Sequence, residues 1–263
     1  ERVLGAGNVH PPMCLRVNRR RCTPEQYIAR LAAAGITARR TGASALLLHQ
    51  PVPVERLPGF AQGDVSVQDA GAQRAAELME LADGQRVLDA CAAPGGKAAH
   101  ILELADAELT ALDVDPARCS KILQNLARLG LHADVRAADC TLPGGWWDGR
   151  AYERILADVP CSASGIARRR PDVKWLRRES DVAGFAARQA SIVSALWQML
   201  TPGGKLLYVT CSIFPEENDA VVDAFLARTP AARRGQLHAG APAQLLPDDG
   251  QDGFFFAILE KVC

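Results

Sequence analysis

The sequence predicts an α/β fold: a doubly wound, mostly parallel sheet with a small N-terminal α+β appendage. From residue 86 onward, short apolar runs alternate with segments of helical pattern, and the connections between them are short. Repeated β-α-β units of this kind build a parallel sheet with helices on both faces. The part before it lacks this alternation. We therefore place the appendage at residues 1–62 and the larger domain at 63–263.

The elements of the larger domain follow from its apolar pattern and from helix-start and helix-stop residues. Pro116 opens one helix at its first position, and Gly130 closes it. The predicted helices are 67–83, 96–104, 116–130, 181–200 and 216–228. The predicted strands are 86–90, 109–113, 133–137, 153–158, 205–210 and 254–260, and 229–252 is predicted to be a loop.

The appendage contains one well-marked helix. Its start is a capping-box pattern, Thr23-Pro24-Glu25-Gln26, with proline at the first helical position, and the helix is predicted to run to Gly35. A strand is predicted at 45–49. Residues 50–64 are rich in proline and glycine and are predicted to be irregular.

Charge is balanced over the 263 residues but not along them. Thirty basic and thirty acidic residues cancel, which excludes a uniformly basic nucleic-acid coat. Residues 1–40 nevertheless hold eight basic and two acidic side chains, and a second basic run occupies 168–178. Either cluster alone is compatible with an ordinary solvated surface. Together they indicate a protein that meets a polyanion on one face.

Several protein classes are excluded by what the sequence lacks. No run of about 18 apolar residues occurs, so no membrane span is predicted. The cysteines form no CxxC pair, which argues against a zinc site or a disulfide framework and favours a reducing cytoplasm. Cys263 is one of the cysteines predicted to have a structural rather than a functional role. The histidines show no metal-ligand spacing: His10, His49, His100, His132 and His238.

A loop between the first strand of the larger domain and its helix has the composition of a cofactor site. Its small residues let the backbone approach a ligand, yet it matches neither the dinucleotide nor the triphosphate pattern. Asp113 ends the next strand and can accept ribose hydroxyls, and Asp139 follows the third. These features predict a nucleoside without a polyphosphate, such as S-adenosylmethionine. The predicted cofactor residues of the loop are Cys91, Ala92, Ala93, Pro94, Gly95, Gly96 and Lys97.

Five segments carry a family resemblance: DACAAPGGK, LDVDPAR, DVPCSASG, RRRPDVKW and VTCSIFPEEN. Their content and order resemble the RNA 5-methylcytosine methyltransferases, and are most similar to the Sun/RsmB type that acts on small-subunit (16S) ribosomal RNA. The flanking PPMCLRVNRRRCTPEQYIARLAAAGI, VSVQDAGAQRAAELMEL and DGFFFAILEK agree, so the resemblance covers nearly the whole chain. It implies a class I, Rossmann-like methyltransferase fold. It also implies a further helical RNA-binding domain, which we expect to precede Glu1.

The resemblance assigns roles to two cysteines and one aspartate. Cys211, in the TCS motif, is the implied nucleophile that adds to C6 of cytosine. Cys161, in the PCS motif, is implied to assist product release. Asp158 is implied to contact both the cytosine ring and the cofactor. Both cysteines follow parallel strands, so they should lie close together. The chemistry of the residues alone does not decide which cysteine is the nucleophile, because DNA cytosine methyltransferases use the cysteine of a Pro-Cys pair.

RNA contacts are expected from the basic residues near these motifs. Lys97 is expected near the target base or a phosphate. A base in a duplex cannot reach such a pocket, so the target should be single-stranded or flipped. We expect a monomer without metal. The remaining predicted RNA-contacting residues are Arg19, Arg20, Arg21, Arg168, Arg169, Arg170 and Lys174.

Three alternatives to ribosomal RNA methylation stay open. The same chemistry could act on transfer RNA, which the basic clusters do not distinguish. The chain could be a noncatalytic RNA-binding assembly factor, although such a protein has no need of two thiols at strand ends. It could also methylate an amine, but that chemistry favours an Asn/Asp-Pro-Pro-aromatic element where this chain has Asp158-Val159-Pro160-Cys161.

Overall fold

The computed structural model describes residues 2–237 and 241–262, which form a small sheet followed by a large one. The predictions made for Glu1, His238 and Cys263 lie outside these residues. In the described ranges, no helix combines the length and the apolar character that crossing a membrane requires. No cluster of three or more potential metal ligands occurs there either.

The first sheet is antiparallel and has four strands in the order β2-β3-β1-β4. One helix, capped by Thr23 through the predicted capping box, packs on it. Its buried core includes Leu15, Tyr27, Leu31 and Leu46. The elements of this part are α1 (Arg2–Ala6), β1 (Cys14–Val17), α2 (Pro24–Ala33), β2 (Ala38–Arg40), β3 (Ala45–Leu48) and β4 (Val65–Val67).

Sequence analysis identified only β3 among these strands. The other three have three or four residues each, too few for an alternating pattern to stand out. The division of the chain at residue 62 remains a prediction, but the last strand of the small sheet lies beyond it, at Val65–Val67.

The second sheet has the order β10-β12-β9-β8-β5-β6-β7, with β11 paired to β12. Its strands are β5 (Arg86–Asp89), β6 (Glu108–Asp113), β7 (Asp134–Ala137), β8 (Tyr152–Asp158), β9 (Leu200–Thr210), β10 (Ala232–Arg234), β11 (Gln244–Leu245) and β12 (Phe254–Lys261). Its helices are α3 (Ala70–Leu78), α4 (Gly96–Leu104), α5 (Pro116–Leu129), α6 (Val173–Leu176), α7 (Glu179–Gln198) and α8 (Asp219–Arg228).

Helices cover both faces of this sheet. One apolar core lies between the sheet and α3, α4 and α5, and the other lies between the sheet and α7 and α8. Strands β5 to β9 pair in parallel, and β12 runs antiparallel to β9. The predicted doubly wound, mostly parallel sheet is therefore confirmed. Strands buried on both faces read as continuous apolar runs, as β12 does.

Some predicted boundaries were wrong, each for a local reason. The helix predicted at 67–83 is shorter, because Asp69 caps it by accepting a hydrogen bond from Gly71 N. Strand β9 begins at Leu200 and not at 205, because Pro202, Gly203 and Gly204, residue types that usually mark a turn, lie inside the strand. The helix predicted at 216–228 starts as a 3-10 turn, Pro215–Glu217. The loop predicted at 229–252 contains β10 and β11, which extend the sheet beside β12.

A buried arginine joins the small sheet to the large domain. Arg16 of β1 donates two hydrogen bonds to the Glu103 carboxylate of α4, at 2.8 and 2.7 Å, and both side chains are almost fully buried. Its remaining donors bind Gln68 and the carbonyl of Gly96, the first residue of α4. A bidentate pair whose arginine makes two further hydrogen bonds can offset the cost of burying its charges. Arg16 thus holds the small sheet against the helix that follows the cofactor loop.

Replacing Arg16 by methionine should lower the free energy of unfolding by about 3–5 kcal/mol, because Glu103 would be left buried without its partner. Urea denaturation checks this. The matched control is Arg30→Met, which removes a half-exposed arginine from the Arg30–Asp64 pair and should cost at most about 1 kcal/mol. Equal losses in the two variants would contradict the anchoring role of Arg16.

Candidate active site

The predicted site residues meet at the edge of the large sheet formed by the carboxyl ends of its parallel strands. Asp89 ends β5, Asp113 ends β6, and Asp158 ends β8. Asp158 lies opposite Val209 in the register of β8 with β9, so the loops carrying Cys161 and Cys211 leave the sheet side by side. Ligands of open α/β sheets bind at this edge.

The cofactor loop between β5 and α4 depends on one glycine. Gly95 has a φ of +97°, and a Cβ atom there would stand 3.0 Å from the Ile122 Cα atom. A side chain at this position would be strained and would press against the backbone of α5. The loop is also held by hydrogen bonds from Ala92 N to Leu112 O and from Gly95 N to Ala92 O, both 2.7 Å. Its backbone is therefore fixed before any ligand binds.

Asp113 joins this loop to the second strand. Its carboxylate accepts hydrogen bonds from Ala93 N at 3.3 Å and from Arg118 Nη1 at 3.1 Å. Arg118 also donates to the Ala93 carbonyl at 2.9 Å. Sequence analysis gave Arg118 no role, although it lies in the LDVDPAR segment, close after the acid that ends β6. Arg118 orients Asp113 and supports the loop.

An open depression lies beside Asp113 and Asp139, as expected for a nucleoside site. It is lined by a mixture of polar and apolar groups: Ala90, Cys91, Asp113, Val114, Arg118, Ala138, Asp139, Cys140, Pro160, Arg188 and Ile192. Hydrogen bonds from Thr141 hold the pKa of Asp139 below its usual value, so Asp139 is an anionic acceptor at neutral pH. Carboxylates beside apolar side chains suit a ribose and a base.

Asp89 is a further site residue. It is the first residue of the DACAAPGGK segment, but no role was predicted for it. Its side chain is fully buried, and no described residue hydrogen-bonds to either carboxylate oxygen. Burial, reinforced by the nearby charge of Asp158, raises its pKa to about 7. The charge of Lys97 partly opposes this rise, and a cationic ligand would stabilise the buried carboxylate further. S-adenosylmethionine carries an ammonium and a sulfonium, so Asp89 fits that cofactor.

Lys97 and Asp158 form a charged pair inside the site. Lys97 Nζ lies 2.6 Å from Asp158 Oδ2, and the lysine side chain is largely buried. Burial disfavours the ammonium, but the attraction of Asp158 outweighs it, so the pKa of Lys97 is raised. The ammonium also lies 5.6 Å from the centre of the Phe254 ring. Lys97 therefore brings a positive charge into this edge of the sheet.

The two predicted catalytic thiols are in contact. Cys161 Sγ and Cys211 Sγ are 3.3 Å apart, within hydrogen-bond distance for sulfur. The hydrogen bond to Cys161 and burial raise the pKa of the Cys211 thiol well above its ordinary value, and the charge of Lys97 opposes this rise. The sequence prediction that the two strand-end cysteines lie close together is confirmed.

A buried carboxylate holds the loops that carry both thiols. Glu217 Oε1 accepts hydrogen bonds from Ser162 N at 2.8 Å and from Gln189 Nε2 at 3.0 Å, and its Oε2 accepts from the Ser212 hydroxyl. Ser162 and Ser212 directly follow the two cysteines. Their hydroxyls are 3.2 Å apart, and each also contacts the hydroxyl of Ser164. Glu217 belongs to the VTCSIFPEEN segment, but no role was predicted for it.

The prediction that Arg168 binds an RNA phosphate is wrong. Its side chain is 1% exposed, and its donors bind the Asp252 carboxylate and the carbonyls of Asp248 and Gln251. Arg169 is likewise engaged, with Asp252 and with Asp69 at 3.0 Å. The local sequence gives no sign of these acids, which lie far away along the chain. Both arginines fasten the segment after Cys161 to the rest of the domain.

Apart from Lys97, the other predicted RNA-contacting residues lie on the surface. Arg170 is exposed beside Asp172, and Lys174 donates to Gly7 O and Asn8 Oδ1. In the first basic cluster Arg19, Arg20 and Arg21 are all exposed, and Arg21 lies 3.8 Å from Asp64.

The fold and this edge of the sheet define a class I S-adenosylmethionine-dependent methyltransferase. Within that class, the chain belongs to a family described as 16S rRNA methyltransferase RsmB/F, which matches residues 76–260. A second match, to the ferredoxin-like domain of RsmF/B-like methyltransferases, covers residues 1–55. The family inferred from the motifs is therefore confirmed, and S-adenosylmethionine is its cofactor.

Curated relatives agree with this family. Ribosomal RNA small subunit methyltransferase B of Pseudomonas putida is 46% identical over 273 residues, matching 100% of this chain and 63% of the relative. The protein of the same name from Klebsiella pneumoniae subsp. pneumoniae is 48% identical over 271 residues, matching 99% and 62%. The chain thus spans less than two thirds of the length of these relatives.

Solved structures share the whole fold. A methyltransferase homolog from Pyrococcus horikoshii superposes with a TM-score of 0.87 at 27% identity, covering 99% of this chain and 90% of that one. NSun6 from the same organism has a TM-score of 0.89 at 20% identity, covering 100% and 94%, and supports the fold alone. Both likenesses include the small N-terminal sheet.

Changing Glu217 to glutamine should destabilise the protein by about 1.5–3 kcal/mol, because an amide cannot accept all the hydrogen bonds that converge on the carboxylate. The exposed neighbour Glu216 provides the control, and Glu216→Gln should change stability by no more than about 0.5 kcal/mol. Urea denaturation measures both. A Glu217→Gln variant as stable as Glu216→Gln would show that the carboxylate does not hold the two loops.

Proposed function

We propose that this chain transfers a methyl group to C5 of a cytosine in small-subunit (16S) ribosomal RNA, through a covalent bond between Cys211 Sγ and C6 of the base. The observation that carries the proposal is the pair of thiols 3.3 Å apart beside the Lys97–Asp158 ion pair. Cytosine C5 is a poor nucleophile. Adding a thiolate to C6 converts the ring to an enamine, which makes C5 nucleophilic.

The cofactor residues surround the edge where this addition occurs. S-adenosylmethionine, when bound, supplies an electrophilic methyl group. The residues that would hold it are those of the loop at 91–96, with Asp113 and Asp139 for the nucleoside and Asp89 for positive charge. All lie at the strand ends that carry Asp158 and the thiols.

Lys97 and Asp158 stabilise the negative charges that develop when Cys211 Sγ adds to C6. The Lys97 ammonium favours the thiolate of Cys211 over its thiol, against the effects of burial and of Cys161. As Cys211 Sγ bonds to C6, negative charge develops on the ring at N3 and O2. Asp158 passes a proton to N3, and it receives that proton from Lys97 Nζ across the 2.6 Å hydrogen bond. The ring is then a neutral enamine.

Cys161 serves the release of the product. Once C5 carries the methyl group, the Cys161 thiolate removes the C5 proton. The electrons of that C–H bond re-form the C5–C6 double bond, and the bond from C6 to Cys211 Sγ breaks with its electron pair left on the sulfur. The N3 proton returns through Asp158 to Lys97. Cys161 lies next to Cys211 and is partly exposed, so it is placed to act on a base bound there.

Ribosomal RNA is proposed as the substrate because the curated relatives carry that name. The target cytosine must be single-stranded or flipped, because the thiols lie at the sheet edge and not on a protruding tip. No observation favours transfer RNA. A purely binding role would leave the paired thiols, the Lys97–Asp158 pair and the donor-free Asp89 without a purpose.

The two thiols should differ in a denaturing-gel assay with unmodified 16S ribosomal RNA and S-adenosylmethionine. Cys161→Ala should accumulate a covalent protein–RNA adduct, because the C5 proton is no longer removed. Cys211→Ala should form no adduct and transfer no methyl group, because the nucleophile is missing. Methyl transfer is followed with labelled cofactor in the same samples.

Cys22→Ala is the matched control, since Cys22 is buried in the small sheet domain away from the site. It should behave like the unmodified protein. An adduct from Cys211→Ala but not from Cys161→Ala would keep the reaction and exchange the two roles. Methyl transfer at full rate by both variants would exclude covalent catalysis by these cysteines.

A further inference from the structure

An exposed tryptophan next to the thiol loops has no place in the mechanism above. Trp175 is 86% exposed and lies on the short helix α6, beside Leu176, which is 67% exposed. The neighbouring Val173 is buried and anchors the helix. Large aromatic side chains gain from burial, so two adjacent apolar side chains left in solvent indicate a surface that receives a ligand.

The position of Trp175 is fixed relative to the active site. Arg177 Nε donates to the carbonyl of Ser162 at 3.0 Å, and Ser162 directly follows Cys161. Trp175 is two positions from Arg177, so their Cα atoms are at most about 7 Å apart. Lys174 holds the other side of the helix by donating to Gly7 O and Asn8 Oδ1. The indole is therefore presented on a restrained helix near the entrance to the thiol pair.

The surroundings of Trp175 favour a polyanion. Arg170, Lys174, Arg177 and Arg178 lie within five residues of it, and Asp172 is the single acidic residue in 168–178. Arg168 and Arg169 are already neutralised by Asp252 and Asp69, whereas the four others, with Asp172 beside Arg170, leave a net positive charge on the segment that carries the indole. An aromatic ring within a basic surface is the usual platform for an unpaired nucleobase.

We propose that Trp175 stacks on a base that neighbours the target cytosine in the substrate RNA. The inference rests on the proposed function, because a flipped cytosine leaves the bases beside it without a stacking partner. An indole close to the Cys161 loop replaces that partner, while the nearby cations contact the phosphates. Trp175 thus becomes a substrate-positioning residue that lies outside the reacting groups.

The test measures RNA binding, which does not require methyl transfer. A short single-stranded RNA containing a cytosine is compared with the duplex that it forms with its complement. Trp175→Ala should bind the single strand about 5- to 100-fold more weakly, with little change for the duplex. Trp175→Phe keeps a ring and should lose less. Leu123→Ala, which removes an exposed apolar side chain on α5, should bind like the unmodified protein.

Fluorescence gives a second measurement on the unmodified protein. Trp146 and Trp197 are buried and Trp147 is only partly exposed, whereas Trp175 is 86% exposed. Trp175 should therefore dominate quenching by acrylamide, and single-stranded RNA should protect it. Unchanged single-strand binding by Trp175→Ala would overturn the proposal and leave the surface to a protein partner. Equal weakening for single strand and duplex would also overturn it. Stacking by a protein that transfers no methyl group would overturn the proposed function but not this platform.

Discussion

The buried carboxylate of Glu217 is the interaction on which the geometry of the active site depends. Two loops leave the ends of β8 and β9, and each carries one thiol followed by one serine. Glu217 accepts a hydrogen bond from the backbone of Ser162 and another from the hydroxyl of Ser212. Each loop is thus tied to the same group immediately after its cysteine. A contact of 3.3 Å between two sulfur atoms needs that degree of restraint.

Buried ion pairs give the remaining loops the same kind of support. Arg16 fastens the small sheet to α4 at the point where the cofactor loop becomes a helix. Arg168 and Arg169 share Asp252 and so tie the segment after Cys161 to the segment before β12. Arginine suits this use because its planar group reaches several acceptors at once. Part of the positive charge that suggests RNA binding is therefore structural, and the exposed remainder lies around α6 and at Arg19, Arg20 and Arg21.

The large sheet and the main site could be predicted from the sequence, because both follow from the local pattern of apolar strands, helices and motifs at strand ends. Parallel strands end at one edge, so Asp158, Cys161 and Cys211 could be placed together before their distances were known. The role of Arg168 could not be predicted in this way, because its partner Asp252 lies 84 positions away and only the folded chain brings them together. The short strands β1, β2 and β4 were not predicted, for a different reason. Each is set by pairing in the small sheet rather than by its own pattern.

The central claim is that the methyl group replaces the hydrogen on C5 of cytosine, and one measurement follows that hydrogen directly. Ribosomal RNA labelled with tritium at C5 of its cytidines is incubated with the protein and S-adenosylmethionine. Tritium released to water and methyl groups transferred to RNA are counted in the same samples. The account predicts that one tritium is released for each methyl group transferred to a labelled cytidine. Methyl transfer without tritium release would place the methyl group on another atom and contradict it.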